Sequence, residues 1–341
     1  MKLKKEFDSF HKSIKIGSEA NELREKREIL QRNFEDNFSD KCALEGITVN
    51  KSDLRFIDQG SYKLDTVIKS PVVDRDIAVI FPLNIVTHDD PRKLKGIAKE
   101  ILEIENRRIP RIKEPCVTVA YYQNDEEWLH IDFPMYAEYN DTLYLARGKE
   151  HSINYSWEES DPEGLNKYFL DILRDNAQLR RVIRYIKKWK IECYSSSTNS
   201  HEVPPSVALT ILACEHFIEC REGSNYDDLT SLCKTMAKIL DAFVVSYDYD
   251  GKITSATMNC SLPVTPFSEV FYKMKKSNAH GITFYKRWKK AVDNLQNACN
   301  VESEHEAAKY VQKVMGDTFD VPPKEAVQAM STIGKRETSF G

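Results

Sequence analysis

Two aspartates that open an apolar run constrain this chain more than any other feature. Asp74-Arg75-Asp76 leads directly into Ile77-Ala78-Val79-Ile80-Phe81. The run predicts a strand over 75–83. Side chains alternate along a strand, so Asp74 and Asp76 share one face, with Cα atoms roughly 6.5–7 Å apart. Ahead of them, twelve residues removed, stands Gly60-Ser61. Glycine lets the backbone approach phosphate oxygens closely, and serine adds a hydroxyl donor. A turn that can hold a triphosphate, in front of a strand bearing two carboxylates, has the parts for moving a nucleotidyl group with divalent metals.

Magnesium takes hard oxygen ligands and fills the rest of its shell with water and substrate phosphates. A third carboxylate is therefore expected from a neighbouring strand. Asp132 fits, a lone acid in the apolar stretch His130-Ile131-Asp132-Phe133-Pro134. An unpaired charge there is costly without a metal or cation partner. Taken singly, each feature has a plainer explanation: a solvated strand face, an ordinary turn, a structural salt bridge. Together they make Asp74, Asp76 and Asp132 the expected catalytic and metal-binding residues, with Gly60 and Ser61 on the nucleotide. Gln59 and Thr66 could pad the same site.

The bulk numbers leave room for this. With 341 residues the chain can form two lobes around a cleft. Its 41% hydrophobic and 30% charged residues are ordinary for a soluble globular protein. A net charge of −4 gives no global pull towards nucleic acid or anionic membrane. No apolar run reaches bilayer length, and Met1-Lys2-Leu3-Lys4-Lys5-Glu6 lacks the apolar core of a secretion signal. Eight cysteines without a C-x-x-C pair read as reduced thiols in a cytosol, and no structural zinc site is expected.

Along the chain, residues 18–38 read as a charged amphipathic helix with Ser18 as N-cap, and 55–59 as a short strand. A helix is expected over 91–104, and strands over 117–122 and 128–136 joined by Gln123-Asn124-Asp125-Glu126. After about residue 150 the pattern turns helical. Asp161-Pro162-Glu163 starts a long helix to about 190, Pro204-Pro205-Ser206 opens another over 207–220, and more follow near 226–240, 281–298 and 303–315, with Gly316 as C-cap.

Gln59-Gly60-Ser61-Tyr62, Asp74-x-Asp76 and Asp132 resemble the nucleotidyltransferase superfamily that includes DNA polymerase beta. Trp157, Asp161-Pro162, Ile186-Lys187-Lys188-Trp189, Pro204 to Thr210 and the ending Gly316-Asp317-x-Phe319 narrow the likeness. They look like the bacterial cyclic GMP–AMP synthase-like (CD-NTase, SMODS) nucleotidyltransferases of anti-phage CBASS systems. The resemblance spans about 50–320. It implies an α+β, two-lobed polymerase beta-like fold with the active site in the cleft. The N-terminal lobe, mixed α/β with a central sheet, would cover 1–155, the mostly helical lobe 156–325, and an exposed tail 326–341.

The resemblance also implies template-independent synthesis of a cyclic di- or trinucleotide in a bacterial cytoplasm. Two magnesium ions, or manganese in their place, would serve the transfer. ATP and GTP are the expected substrates, with pyrimidine triphosphates as the alternative, and the product would activate a downstream effector. Lys187 would contact the donor triphosphate, and Ser206 would add a hydroxyl contact. The terminal Gly341 suits a ubiquitin-conjugation-like partner. Lys187 also lies on a helical stripe with Arg180 and Arg184, a basic face suited to polyphosphate or, more plainly, a solvated one. Ser206 could equally be a plain N-cap. The residue between the aspartates is usually apolar in such enzymes. Arg75 there should point away from the metals, onto a face that is wet or supplies an acid. The basic clusters 273–276 and 286–290 read as solvated surface, so neither a nucleic-acid activator nor a membrane is expected. The competing readings are transfer of one nucleotide to a protein, RNA end or small molecule, and a non-catalytic nucleotide-binding module.

Overall fold

In the computed structural model, which describes residues 2–17, 19–103 and 108–324, the aspartate strand is the centre of an eight-stranded mixed sheet. This strand, β2 (Val73–Pro82), pairs antiparallel with β1 (Arg55–Gln59) on one side. On the other it runs parallel to β5 (Glu126–Phe133) and then to β6 (Met135–Tyr139). The register does not slip at the join: Asp76 lies opposite Asp132 and Val79 opposite Met135. The single strand expected over 128–136 is thus one line broken at Pro134. Proline has no N–H for the ladder, but its carbonyl still accepts from the Val79 N–H at 2.9 Å. β4 (Val117–Gln123) and β3 (Ile109–Ile112) extend the sheet beyond β5, and β7 (Thr142–Arg147) and β8 (Ser156–Glu159) beyond β6. The expected turn between β4 and β5 is present, with Asn124 and Asp125 both at positive φ, as a two-residue hairpin loop demands.

Two helices cover this sheet. α2 (Glu19–Leu44) is longer than the predicted 18–38 and buries Leu23, Leu30, Phe34 and Phe38. Phe34 meets Phe133 and Phe38 meets Phe81, with ring centroids 5.3 and 5.1 Å apart. The Ser18 cap lies outside the described residues. α4 (Pro91–Leu102) starts at proline, and the Asp90 side chain caps its Arg92 N–H.

The helical half contains α5 (Pro162–Leu173), α6 (Ala177–Tyr194), α7 (Ser206–His216), α8 (Asp228–Leu240), α9 (Asn278–Asn300) and α10 (Glu304–Met315). The long helix expected over 162–190 is two. Asn176 accepts from the Leu179 N–H at 2.9 Å and caps α6, while the apolar period carries across the break and hides it. α7 stops at His216, short of the predicted Cys220. α10 ends at Gly316, φ +81°, as predicted.

A first helix absent from the sequence-based expectations, α1 (Lys4–Ile14), buries Phe7, Phe10 and Ile14. It packs on Tyr185 of α6 and on Phe319, so it joins the helical core although the sequence reading grouped it with the sheet lobe. The segment after β1 is shared. It opens with the single turn α3 (Gly60–Lys63), then sends Leu64 and Ile68 into the helical core and Val67 into the sheet core. The lysines of the basic clusters lie at the surface as expected: Lys275 pairs with Glu269 and Lys289 with Asp293, while Met274 and Trp288 turn inward. All eight cysteines are free thiols. Among the described residues no helix is long and apolar enough to cross a membrane. The expected tail 326–341, with Gly341, lies outside the described residues.

Candidate active site

β1 delivers the chain at Gln59, directly opposite Asp76. Gly60 then turns with φ +60°, a conformation that costs other residues energy. A Cβ at this position would also sit 2.3 Å from Asp76 Oδ2. Glycine is therefore needed both for the turn and for the carboxylate packed on it. The loop closes through the Leu64 N–H to Gly60 O at 3.2 Å and the Thr66 N–H to Ser61 O at 2.9 Å.

From the helical side, α6 brings Lys187 beneath this loop. Its ammonium donates to Ser61 Oγ at 2.7 Å, Thr66 Oγ1 at 3.0 Å and Thr66 O at 3.2 Å. Burial pushes its pKa down to about 8, against the opposing pull of Asp74. Asp76 shifts the other way. Burial first, then the neighbouring charges of Asp74 and Asp132, push its carboxyl up to about 7. Asp132 Oδ1 accepts from Thr118 Oγ1 and lies 3.5 Å from Lys113 Nζ. The strand pairing puts all three carboxylates on one face of the sheet, with Asp74 the most exposed.

Arg75 points to the opposite face, and that face is dry. Its side chain is buried, 2.7 Å from Asp58, with the guanidinium carbon 3.5 Å from the Tyr62 ring centroid. Of the two environments expected for Arg75, the acid partner is the one found. Asp58 and Tyr62 flank Gln59-Gly60-Ser61, so Arg75 ties the loop down from behind.

The loop and Lys187 stand between two chambers. One, of about 790 Å³, opens over Asp76 and has an apolar wall that includes Leu165, Val207 and Leu262. Its polar corner is formed by Tyr136, Gln59 and Ser160. The other, of about 670 Å³, is lined by Asp74, His130, Thr66, Ser70 and Lys190. Ser61, Lys187 and Ser206 border both.

Of the residues predicted for the site, all but Asp132 line one chamber or both, and Asp132 joins them from its place opposite Asp76, but two expectations need correcting. Ser206 is the first residue of α7, with Pro205 in the cap position, so it is not an N-cap. Its hydroxyl accepts from Lys190 Nζ at 2.8 Å. The Arg180–Arg184–Lys187 stripe is not one basic face: Arg180 borders neither chamber, and Arg184 is buried against Asp65 and His11. The cation that does join Lys187 is Lys190, three residues on, a spacing the sequence contained. Tyr136, Ser160 and Thr118 had no local signal. They reach the cleft through sheet pairing alone.

Residues 54–136 match the family described as "Cyclic GMP-AMP synthase DncV-like, nucleotidyltransferase domain". A cyclic GMP-AMP synthase from Escherichia albertii is 27% identical over 178 residues, which are 48% of this chain and 37% of that protein. The aligned stretch thus spans less than half the length of that curated relative. Among solved structures, Bradyrhizobium diazoefficiens CD-NTase CdnG in complex with GTP superposes with a TM-score of 0.68 at 14% identity, covering 92% of this chain and 95% of that one. Vibrio cholerae DncV in complex with the linear intermediate 5′ pppA(3′,5′)pG gives 0.66 at 17%, covering 90% and 92%. At such identities these likenesses speak to the fold, which is the two-lobed polymerase beta-like one expected. The domain match and the shared fold agree: residues 54–136 are similar to the cyclic GMP–AMP synthase-like nucleotidyltransferase domain, and the described chain has the fold of those enzymes.

Proposed function

We propose that this protein makes a cyclic di- or trinucleotide from nucleoside triphosphates by successive nucleotidyl transfers, releasing pyrophosphate at each. The observation that carries the reading is the register of β2 and β5: Asp76 opposite Asp132, with Asp74 on the same face and the Gly60-Ser61 loop packed against Asp76. Asp74, Asp76 and Asp132 are the catalytic, metal-binding residues; Gln59, Gly60, Ser61, Lys187 and Ser206 form the nucleotide site.

The carboxylates suit a divalent cation. They are hard oxygen donors, and their mutual repulsion helps hold the Asp76 carboxyl near 7, a charge strain that a cation would relieve. Among the described residues no three His, Cys, Asp or Glu converge as a complete metal cage. Asp74, Asp76 and Asp132 would hold magnesium or manganese with substrate phosphates and water as the remaining ligands. Bound there, the ions would neutralise the triphosphate and polarise the attacking and leaving oxygens.

The protein's own groups do the rest. The turn at Gly60 and the Ser61 hydroxyl hold the donor phosphates. Lys187, charged over most of the physiological range, exchanges a hydroxyl partner for a phosphate oxygen. Lys190 extends this positive floor into the second chamber. Asp132 engages Thr118 and Lys113 through one oxygen, and its other oxygen has no such partner among the described residues. That free oxygen accepts the proton of the attacking ribose hydroxyl. The apolar chamber takes base and sugar. Space on both sides of the loop lets a linear intermediate turn over and present its other end. The relatives support ATP and GTP as substrates, since V. cholerae DncV was captured with pppA(3′,5′)pG and CdnG with GTP. In the cell the product would activate an anti-phage effector from the cytoplasm, and Gly341 would be the attachment point for a ubiquitin-conjugation-like partner.

The test is incubation with the four triphosphates and magnesium, followed by phosphatase and mass spectrometry. A phosphatase-resistant cyclic product is expected, reduced at least about a thousandfold by Asp76→Asn, as befits losing several kcal/mol of charge stabilisation. Product appearing only when a protein, RNA or small-molecule acceptor is added would favour single transfer instead. Unchanged activity in Asp76→Asn would remove the carboxylates from the chemistry.

A further inference from the structure

The loop that carries Ser61 starts on the sheet but ends on the helical lobe. Arg184, one turn before Lys187 on α6, is buried beneath the loop's exit. Its guanidinium donates to the Asp65 carbonyl and lies 3.0 Å from Asp65 Oδ1, while Nη1 lies 3.1 Å from His11 Nε2 of α1. The strap after α1 reinforces this point. The Lys69 N–H donates to Ile14 O at 2.7 Å, Lys15 bridges to Ile68, and Lys15 Nζ lies 3.6 Å from Asp65. Asp65 itself has φ +49°, so its backbone needs external support to stay where it is. Its neighbour Thr66 is the residue that Lys187 grips.

We infer that Arg184 is a positioning residue for triphosphate binding: acting through Asp65, it sets the height of the Gly60–Thr66 loop relative to Lys187. It touches no substrate. Arg184 and Lys187 sit on one face of one helix, so the loop's exit and the cation beneath it move together. One guanidinium nitrogen, Nη2, meets both the Asp65 carbonyl and its carboxylate while Nη1 meets His11, a planar two-point hold that a lysine point charge cannot reproduce. Neutral His11 leaves Arg184 as the charged member of the contact, its imidazole held down to about 4 by burial and by the neighbouring arginine.

This inference rests on the functional reading above, and its test separates the two. The full chain is titrated with a fluorescent ATP analogue and, in parallel, with the same fluorophore on adenosine, in magnesium. Arg184→Lys and Asp65→Asn are compared with the unaltered protein. Asp65 is a mild site because its side chain is 63% exposed and asparagine tolerates positive φ. Both variants should weaken the ATP analogue about tenfold and leave the adenosine analogue within about twofold. Their KM for triphosphate should rise more than kcat falls, within the range that a displacement of about 1 Å produces. Equal weakening of both probes would mean a general structural role and overturn the inference, as would unchanged ATP binding. An unaltered protein that binds neither probe would overturn the functional reading, and this one with it.

Discussion

Two buried lysines, Lys95 in the sheet lobe and Lys187 in the cleft, share a pKa pushed down to about 8 by burial. They differ in what they hold. Lys95 donates to three backbone carbonyls, those of Lys113, Glu114 and Gly148, at 2.6–2.8 Å. Those acceptors are fixed, and the ammonium serves as a pin between α4 and two loops of the sheet. Lys187 spends two of its three contacts on the hydroxyls of Ser61 and Thr66, which can rotate away. It also borders both chambers and feels Asp74 and Asp76. Burial and a lowered pKa thus do not separate a structural lysine from a functional one. The exchangeability of its partners does.

The most forceful way to break this comparison is to truncate each lysine. Lys187→Met should lower kcat/KM for cyclic product by about a hundredfold or more, the scale of losing a preorganised charge at a phosphoryl centre, with little change in thermal midpoint. Lys95→Met should do the reverse. It strands three carbonyls and should lose about 3 kcal/mol or more of stability in urea titration, while the folded fraction keeps its specific activity. If both variants lose only stability, Lys187 is another pin.

A smaller effect sharpens the contrast through pH. The Asp76 carboxyl rises from 3.8 to about 7 in the folded, cation-free protein. The folded state therefore binds a proton that the unfolded chain has already released. Stability should fall as pH rises from about 4 to about 7 and level off above. Thermal midpoints measured with a chelator present should show this decline, and Asp76→Asn should flatten it. A decline that persists unchanged in the variant would place the titrating group elsewhere.

The mildest change is Ser206→Ala, which removes a partner of Lys190 and leaves Lys187 intact. A two- to threefold rise in KM for triphosphate is expected, from steady-state rates. A loss beyond tenfold would mean that the hydroxyl meets substrate directly.

Local periodicity made much of the fold and the carboxylate face readable. Asp74 and Asp76 follow from strand alternation, and Asp132 from its isolation in an apolar run. The same logic found β1 and the Gly316 cap almost to the residue. It failed where a periodic signal ran through a break. The apolar positions around Leu173 and Leu179 keep helical spacing across Asn176, although an asparagine three residues before a capped N–H was itself a stop-and-start signal. Pro134 was likewise visible, and its meaning was hidden by apolar residues on both sides. Tyr136, Ser160 and Thr118 join the site through contacts between distant segments, which no window along one chain contains, whereas Thr66 and Lys190 were within reach of local spacing. α1 was missed although Leu3, Phe7, Phe10 and Ile14 keep helical spacing, a signal in the sequence that its short, lysine-rich setting obscured.

The close packing of Gly60 on Asp76 bears on how natural variation here should be scored. A Gly60→Ala exchange looks conservative in any substitution table, and in a loop it would ordinarily be read as a small loss of flexibility. Here the new methyl would occupy the space of a carboxylate oxygen. In a saturation scan this allele should therefore cluster with Asp76 alleles and apart from those of its sequence neighbours. Second-site suppressors on the strand, where the aspartate can be given room, would recover only part of the loss, because the positive φ at position 60 stays costly for alanine.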